Sequence, residues 1–219
     1  MNNNTDYVTD TSVFKAPTQT SIDDRIALES IRAWLACKEL KYNYLELGSY
    51  LGGTLLPHIV SKDCGSVMSV DRRVSSQPDE RRAVGYSYEG VTTDDLKAEL
   101  GRHVKDTDSL NKLETYDGVI GDLNPSEIRK KWPVGFHLCF IDAEHTNEAV
   151  FSDFLHTLQL AAPNSVIMLH DSWMMSAGIQ NIISHLQNAK KQFLFSRIKD
   201  SVTAFFLVSM LTRNNSLSS

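Results

Sequence analysis

Short apolar runs alternate with longer amphipathic stretches through most of the chain. The apolar runs predict strands over 44–47, 67–70, 118–121, 137–141 and 165–169, and two more over 192–198 and 202–210. Between them, helical spacing and capping residues predict helices that begin at Ser21 and then cover 53–61, 94–103, a short stretch after Ser126, 144–160 and 179–189. The last two strands flank a polar turn and predict a terminal antiparallel pair.

The first five predicted strands are mostly apolar and show no regular alternation of apolar and polar positions. Strands of that kind are buried on both faces, as in a parallel sheet with helices on each side. The chain therefore predicts one doubly wound α/β domain over 21–211 with a helical N-terminal extension, a polar flexible arm at 1–20 and a polar tail at 212–219. Residues 74–92 are polar and mixed, and are predicted to form a long loop.

The composition argues against several classes of partner. Lys and Arg number 22 against 27 Asp and Glu, so the formal charge is -5. A mildly acidic chain is a poor binder of nucleic acid and of anionic membrane surfaces. The first residues lack the basic and apolar parts of a signal peptide, and the longest apolar stretch, 202–211, is too short to span a bilayer. With three widely spaced cysteines and no disulfide framework, we expect a cytoplasmic protein.

A carboxylate stands at the end of each of the first five predicted strands. The five are Glu46, Asp71, Asp122, Asp142 and Asp171. In a doubly wound sheet, ligands bind outside the carboxyl ends of the strands. Any one of these acids is equally well explained as a solvated side chain or a helix cap. As a set, they predict a ligand site along this edge of the sheet.

The first strand runs into a glycine-rich turn, ELGSYLGG over 46–53. Glycine at a strand end allows a tight turn and a close approach of the backbone to a ligand. Asp71 follows Gly48 by 23 residues and ends the next strand, where an acid can accept hydrogen bonds from both hydroxyls of a ribose. The turn differs from the G-x-G-x-x-G dinucleotide fingerprint. Together, turn and acid predict a nucleoside cofactor.

Two further motifs, FIDAEH over 140–145 and MLHDSW over 168–173, follow consecutive predicted strands. If these strand ends are neighbours, Asp142, His170 and Asp171 could bind a divalent cation. His145 could then serve as a general base, because imidazole titrates near neutral pH. The alternative is that His145 packs at a helix start and His170 is a hydrogen-bonded core histidine. Both interpretations stay open on the pattern alone.

Other polar features indicate no chemistry. Ser21 and Asp24 resemble a capping box at the start of the first helix. The run Asp79-Glu80-Arg81-Arg82 mixes both signs of charge and predicts an exposed turn or loop.

The order of the motifs resembles a known family. ELGSYLGG, SVDRR, FIDAEHTNEAVFSDF and IMLHDSW are similar to the class I S-adenosylmethionine-dependent methyltransferases. Within these, the likeness is to methyltransferase family 24, related to the cephalosporin hydroxylase-like and catechol-type O-methyltransferases. It covers about residues 21–210, and FID-x-x-H with the later LHD is its most specific part. The resemblance implies a Rossmann-like, mostly parallel sheet of seven strands whose last strand is antiparallel.

The resemblance also implies roles for the strand-end residues. The catalytic candidates are His145 and Asp142, and in metal-dependent relatives Mg²⁺ is held at positions that fall on Asp142, His170 and Asp171. His170 replaces an acid present in several of those relatives, and the turn lacks the second glycine of the commoner motif. The residues implied to contact S-adenosylmethionine are Glu46, Gly48, Ser49, Tyr50, Gly52, Asp71, Asp122 and Asp142.

The leading hypothesis is therefore a methyltransferase that acts on a hydroxyl of a small molecule or sugar. S-adenosylmethionine would be its cofactor, with or without Mg²⁺ or another divalent cation. A sulfonium donor needs no metal, but the enzyme must align the acceptor oxygen and remove its proton. The alternatives are an NAD-dependent oxidoreductase on a similar sheet and a non-catalytic, cofactor-binding partner subunit. The pattern identifies no particular acceptor, and a homo-oligomer is compatible with it.

Overall fold

The computed structural model describes residues 9–38, 41–87 and 90–209. The helices within them are α1 (Ile22–Ala36), α2 (Leu56–Val60), α3 (Thr93–His103), α4 (Thr107–Leu110), α5 (Pro125–Lys131), α6 (Asn147–Leu160) and α7 (Ser176–Asn188). The strands are β1 (Tyr42–Leu47), β2 (Cys64–Asp71), β3 (Ser76–Asp79), β4 (Arg82–Ser87), β5 (Leu113–Asp117), β6 (Phe136–Ile141), β7 (Ala161–Leu169), β8 (Gln192–Arg197) and β9 (Ala204–Ser209). Short 3-10 helices cover Thr11–Val13 and Ile120–Asp122.

Seven strands form one sheet in the order β5-β2-β1-β6-β7-β9-β8. The first five strands of that order are parallel, whereas β9 lies antiparallel to both β7 and β8. Chain order reverses between β1 and β6, which is where ligands bind in sheets of this type. The predicted α/β class, the seven-stranded Rossmann-like sheet and its antiparallel last strand are confirmed.

The central strands are buried on both faces by two separate cores. Leu45 and Leu47 of β1 belong to the core that includes residues of α6 and α7. Tyr42 and Tyr44 belong to the core that includes residues of α1, α2 and α3. Because successive side chains of one strand enter different cores, apolar residues occupy both faces of the strand and neighbour each other in the sequence.

The prediction of a strand over 118–121 is wrong. The third parallel strand is β5, which ends at Asp117, and the following 3-10 helix carries Asp122 as an exposed residue away from any strand end. β5 lies at the sheet edge and pairs with β2 alone. Its sequence, LETYD, is partly polar because an edge strand is only half-buried, and an unbroken apolar run is therefore the wrong signal for it.

The long loop predicted over 74–92 contains a hairpin. β3 and β4 pair antiparallel and form a separate two-stranded sheet. The strands are short, their register shifts between Gln77 and Asp79, and Gly85 has φ +80°. A polar hairpin with an irregular register leaves no period-two apolar pattern in the sequence.

Helix α1 begins at the predicted capping box. The Asp24 carboxylate accepts a hydrogen bond from the Ser21 backbone N–H at 3.0 Å, and Ser21 Oγ accepts one from the Asp24 N–H at 3.2 Å. The described part of the preceding segment packs on the domain, with Ala16 buried and the Gly53 N–H donating to the Pro17 carbonyl at 3.1 Å. Residues 1–8 of the predicted arm and the whole predicted tail lie outside the described residues.

Several other boundaries differ from prediction by a few residues. α2 begins at Leu56, and α6 begins at Asn147 after its cap Thr146. β7 begins at Ala161, four residues before the predicted strand, and Asn164 within it has φ +59°. Among the described helices, none has both the length and the apolar character that a membrane crossing needs.

Candidate active site

A cleft opens at the carboxyl ends of β1, β2 and β6, where the strand order reverses. It is lined by the glycine-rich turn, by the ends of β2 and β6, and by residues 118–120. Thr18 and Gln19 also line it, although their segment was predicted to be a flexible arm. Five of the predicted cofactor residues line this cleft: Gly48, Ser49, Tyr50, Asp71 and Asp142.

Gly48 brings the turn into direct contact with the end of β6. Its φ is +81°, and a Cβ atom built on it would lie 2.0 Å from the Asp142 carbonyl oxygen. Any side chain at this position would therefore clash with backbone and strain the turn. The glycine was predicted for its freedom of turn geometry, and the structure adds that it permits close contact between two strand ends.

Asp71 fixes the same turn from the end of β2. Its Oδ2 accepts hydrogen bonds from the backbone N–H groups of Ser49 at 2.8 Å and Tyr50 at 3.3 Å. The guanidinium of Arg73 lies 3.1 Å from Oδ2, and the Arg73 N–H donates to Oδ1 at 3.0 Å. The side chain is partly exposed and lines the cleft, so the carboxylate can accept a further hydrogen bond from a ligand hydroxyl.

Three predicted cofactor residues do not line the cleft. Glu46 is fully buried, where it accepts hydrogen bonds from the Tyr44 hydroxyl at 2.5 Å and from Thr54 Oγ1 at 2.8 Å. Burial raises the pKa of Glu46 to about 8. A Cβ on Gly52 would meet side chains of α3, and Asp122 is exposed on its 3-10 helix.

The four residues predicted to carry the chemistry lie together. His170 Nδ1 is 2.9 Å from Asp142 Oδ1, and His145 Nε2 is 3.3 Å from the same oxygen. Asp171 Oδ2 lies 3.6 Å from His145 Nε2 and 3.8 Å from His170 Nδ1. Asp171 has φ +47°, a strained conformation of the kind that clusters at functional sites. We call Asp142, His145, His170 and Asp171 the acid–base cluster.

Two further carboxylates hold the outer nitrogens of the histidines, and the sequence pattern missed both. Asp24 Oδ2 lies 3.2 Å from His170 Nε2, and Asp79 Oδ2 lies 3.2 Å from His145 Nδ1. Asp24 was predicted only as a helix cap. The Asp79 run was predicted to be exposed, but the Asp79 side chain is 0% exposed. The mixed charge of its neighbours gave no signal of this burial.

The alternation of carboxylates and imidazoles sets the protonation of the acid–base cluster. Burial alone would lower the pKa of His170, but Asp142 and Asp24 raise it to about 11, so the ring is a cation at neutral pH. Burial would likewise lower the pKa of His145, but its hydrogen bonds to Asp142 and Asp79 raise that pKa above the usual value. Burial would raise the pKa of Asp142, and the two histidines hold it below its usual value.

The acid–base cluster also offers a point of convergence for a cation. One ligand atom from each of Asp142, His145 and His170 lies within 4.8 Å of the others, and Asp171 Oδ2 faces the same point. Mg²⁺ takes oxygen ligands in near-octahedral geometry, whereas two of these four donors are imidazole nitrogens, which suit transition metals. The residues present therefore do not fit Mg²⁺.

Comparison with known proteins agrees with this architecture. Residues 45–172, more than half of the chain, match the profile of methyltransferase family 24, described as a methyltransferase domain. The matched region includes the glycine-rich turn, Asp71 and the whole acid–base cluster, while Asp24 precedes it. No curated protein sequence matches the chain.

Three solved structures share the fold. The O-methyltransferase NovP superposes with a TM-score of 0.60 at 13% identity, covering 84% of this chain and 79% of its own. The Bacillus cereus O-methyltransferase in complex with SAH superposes with a TM-score of 0.57 at 15% sequence identity, covering 91% of this chain and 86% of its own. The third structure is TomG from Streptomyces achromogenes, an O-methyltransferase involved in tomaymycin synthesis and solved with SAM. It superposes with a TM-score of 0.56 at 12% sequence identity, covering 84% of this chain and 79% of its own. At these identities the likeness shows the fold alone.

Fold, motif order and the family profile together show that the chain belongs to methyltransferase family 24 of the class I methyltransferases.

Proposed function

We propose that this protein is an S-adenosylmethionine-dependent O-methyltransferase that methylates a hydroxyl of a small molecule or sugar. The observation that carries the proposal is that one cleft is lined both by the glycine-rich turn with Asp71 and by Asp142 and His145 of the acid–base cluster. A nucleoside-binding edge and a proton acceptor thus face the same space. The three solved structures described above are named as O-methyltransferases, which favours an oxygen acceptor.

In this proposal the turn residues Gly48, Ser49 and Tyr50 bind the methionine side of the cofactor and Asp71 binds its ribose. Asp71 suits that role because its Oδ2 accepts hydrogen bonds from two backbone N–H groups of the turn and lies next to the guanidinium of Arg73. Its position is therefore fixed before the cofactor arrives, which lowers the entropic cost of binding. Glu46 would act indirectly, by holding Thr54, which lines the cleft.

The reaction moves a methyl group from sulfur to oxygen. The acceptor oxygen attacks the methyl carbon in line with the carbon–sulfur bond, which breaks and leaves S-adenosylhomocysteine. The hydroxyl proton passes to Nε2 of His145, so the charge lost by the sulfonium appears on the imidazolium. The protein contributes alignment of the two reactants and removal of the proton.

Charge in the cleft supports both steps. The carboxylates of Asp142 and Asp171 face the side of His145 that would receive the proton, and they stabilise the imidazolium that forms. The same carboxylates raise the pKa of His145, which would keep the base protonated at low pH. A bound sulfonium carries a positive charge into the cleft and opposes that effect.

The proposal takes no step through Mg²⁺, because the donor atoms do not fit that ion. His170, which stands where several relatives have an acid, is a cation held between Asp24 and Asp142. Another divalent cation held by Asp142, His170 and Asp171 remains a prediction.

Calorimetric titration with S-adenosylmethionine and S-adenosylhomocysteine, followed by transfer assays with isotopically labelled methyl donor, tests the proposal. The acceptors should include catechols, other phenols and hydroxylated sugars. We expect binding of both nucleosides and transfer to a hydroxyl compound. Absence of binding by well-folded protein would overturn the proposal, and binding with no transfer to any acceptor would instead support a non-catalytic subunit.

A further inference from the structure

The β3–β4 hairpin lies outside the seven-stranded sheet, yet it reaches the acid–base cluster. Asp79 and His145 form a parallel backbone bridge, and the Glu80 N–H donates to the His145 carbonyl at 2.9 Å. Gln77 Nε2 donates to the Ala143 carbonyl at 3.0 Å. The hairpin is therefore hydrogen-bonded along the segment that carries the proposed base.

Glu80 anchors the hairpin to the start of α6. Its Oε1 accepts hydrogen bonds from the backbone N–H of Asn147 at 2.9 Å and from Asn147 Nδ2 at 2.7 Å. A carboxylate at a helix N-terminus satisfies a free N–H group and stabilises the helix. Glu80 thus has a role in docking the hairpin, through side-chain hydrogen bonds to Asn147.

Unlike Glu80, Asp79 contacts the side chains of Arg81 and His145. Its Oδ1 accepts hydrogen bonds from the Arg81 backbone N–H at 2.8 Å and from Arg81 Nε at 2.9 Å. Its Oδ2 lies 2.6 Å from Arg81 Nη2 and 3.2 Å from His145 Nδ1. The buried carboxylate is therefore fixed on one side by Arg81, and it presents an oxygen to the imidazole on the other side.

The contacts of the His145 ring favour one arrangement of its protons. Arg81 Nη2 lies 3.4 Å from Nδ1 and could donate to it only if Nδ1 carried no proton. A bare Nδ1 would then direct its lone pair at the Asp79 carboxylate, which is closer and repels it. Nδ1 therefore keeps its proton, and Asp79 accepts it in a charge-assisted hydrogen bond.

The opposite nitrogen also faces carboxylates, at longer distances. Nε2 lies 3.3 Å from Asp142 Oδ1, an oxygen that already interacts with His170 Nδ1 at 2.9 Å, and 3.6 Å from Asp171 Oδ2. Because both contacts are longer than the 3.2 Å contact between Nδ1 and Asp79 Oδ2, we expect the proton that leaves a ring becoming neutral to be the one on Nε2. That nitrogen belongs to the residue that lines the cleft.

We propose that Asp79 is a positioning residue for methyl transfer, which holds His145 in the Nδ1–H tautomer so that Nε2 is free to take the acceptor's proton. The inference rests on the proposed function, in which His145 is the base. A carboxylate that fixes the tautomer and orientation of a basic histidine serves the same purpose in other enzymes. In this protein it comes from a hairpin outside the main sheet.

The test uses Asp79→Asn and its hairpin neighbour Glu80→Gln as a matched control. In Asp79→Asn, the Arg81 backbone N–H and Nε favour the amide oxygen at the Oδ1 place. Arg81 Nη2, which donates to Oδ2 in the wild type, must then turn away from the amide NH₂ group, and this NH₂ group faces Nδ1 of His145. The neutral ring should then switch to the Nε2–H tautomer, whose Nε2 cannot accept a proton. Glu80→Gln loses a charge from the same hairpin and should leave the tautomer unchanged.

Nitrogen-15 NMR of the imidazole, recorded at high pH on the full-length protein and assigned with His145→Gln, measures the tautomer without any acceptor. We expect Nδ1–H in the wild type and Glu80→Gln, and Nε2–H in Asp79→Asn. Persistence of Nδ1–H in Asp79→Asn, or the same switch in Glu80→Gln, would overturn the inference.

Single-turnover transfer to the acceptor identified for the wild type provides the second measurement. We expect the rate to fall about 100-fold or more in Asp79→Asn, with S-adenosylmethionine affinity unchanged, and to stay near wild type in Glu80→Gln. Equal losses in the two variants would assign Asp79 a merely structural role. A wild type that binds no S-adenosylmethionine would overturn the proposed function, while the tautomer measurement still tests the contact between Asp79 and His145.

Discussion

Asp24 and His170 are 146 residues apart in the chain, and Asp24 Oδ2 lies 3.2 Å from His170 Nε2. The acid of the capping box at the start of α1 thereby fixes the orientation of a ring at the end of β7. Hydrogen bonds from His170 and from serine hydroxyls outweigh burial and hold the pKa of Asp24 well below its usual range. One carboxylate thus serves as a helix cap and as a partner of the acid–base cluster.

Replacement of Asp24 should weaken both the fold and the acid–base cluster. We expect Asp24→Asn to lower the free energy of unfolding by about 3 kcal/mol at pH 7, because it leaves a buried His170 cation short of one counter-charge. The raised pKa of His170 stabilises the fold fully below pH 6.5, and this stabilisation is lost as the pH rises toward about 11. The difference between variant and wild type should therefore shrink in urea denaturation at pH 10.5.

The matched control is Asp23→Asn. Asp23 is the exposed neighbour of Asp24 in the first turn of α1. It should change stability by only a few tenths of a kcal/mol. Equal effects of the two substitutions would assign the loss to the helix end and not to His170.

Gly48→Ala should disrupt the contact between the turn and β6. A methyl group at this position would lie 2.0 Å from the Asp142 carbonyl oxygen, on a residue whose φ is +81°. We expect a clear fall in melting temperature and loss of S-adenosylmethionine binding. Gly101→Ala in α3 is the control, since a Cβ there meets no atom within 4 Å and should stabilise the helix by up to about 1 kcal/mol.

Asp71→Ala should lower S-adenosylmethionine affinity roughly tenfold or more, because it removes charge-assisted hydrogen bonds to the ribose and to the turn. Calorimetry measures the affinity, and circular dichroism checks the fold. Asp108→Ala is the control, because Asp108 is an exposed acid in the first turn of α4. Unchanged affinity in Asp71→Ala would reject the ribose assignment.

Glu46→Gln should reveal a pH-dependent cost of the buried acid. Burial raises the pKa of Glu46 to about 8, so the folded protein keeps a proton that the unfolded chain releases near pH 4.5. The wild type should therefore lose stability relative to Glu46→Gln as the pH rises from 4.5 to about 8, by about 1.4 kcal/mol per pH unit. A stability difference that does not vary with pH would contradict this assignment.

Metal titration should separate Mg²⁺ from ions that accept nitrogen ligands. We expect no calorimetric signal with millimolar Mg²⁺, and unchanged S-adenosylmethionine binding after treatment with EDTA, because imidazoles replace the oxygen ligands that Mg²⁺ needs. Mn²⁺ and Zn²⁺ serve as comparison ions. Tight Mg²⁺ binding that disappears in Asp142→Asn would show that the donor-set argument is wrong.

Much of the fold was predictable because the central strands are buried on both faces. Their apolar runs, and the carboxylates that follow them, mark the strand ends directly. The edge strand β5 was misplaced because it is half-buried and partly polar, while the more apolar 118–121 run ends in a 3-10 helix. An apolar run, or a periodic pattern of apolar residues, can be detected in the sequence only where a strand or helix packs against the core.

The acid–base cluster was predictable as a set of residues but not as a network. Asp142, His145, His170 and Asp171 share two short motifs on neighbouring strands, so their proximity follows from topology. Asp24 and Asp79 reach the same place from a helix cap and from a hairpin. Their roles depend on how distant segments dock, and neither motif spacing nor periodicity carries that information.

The contacts of Asp24 also have a consequence for the order in which the chain is made. Its Oδ1 accepts hydrogen bonds from Ser201 Oγ at 2.6 Å, the Val202 N–H at 3.2 Å and Thr203 Oγ1 at 3.1 Å. Synthesis proceeds from the N-terminus, so the carboxylate is made 177 or more residues before these donors. A nascent chain that already contains all of residues 45–172 still lacks the groups that seat Asp24 against His170, and Asp24 gains this full set of hydrogen bonds only after residue 203 has been made.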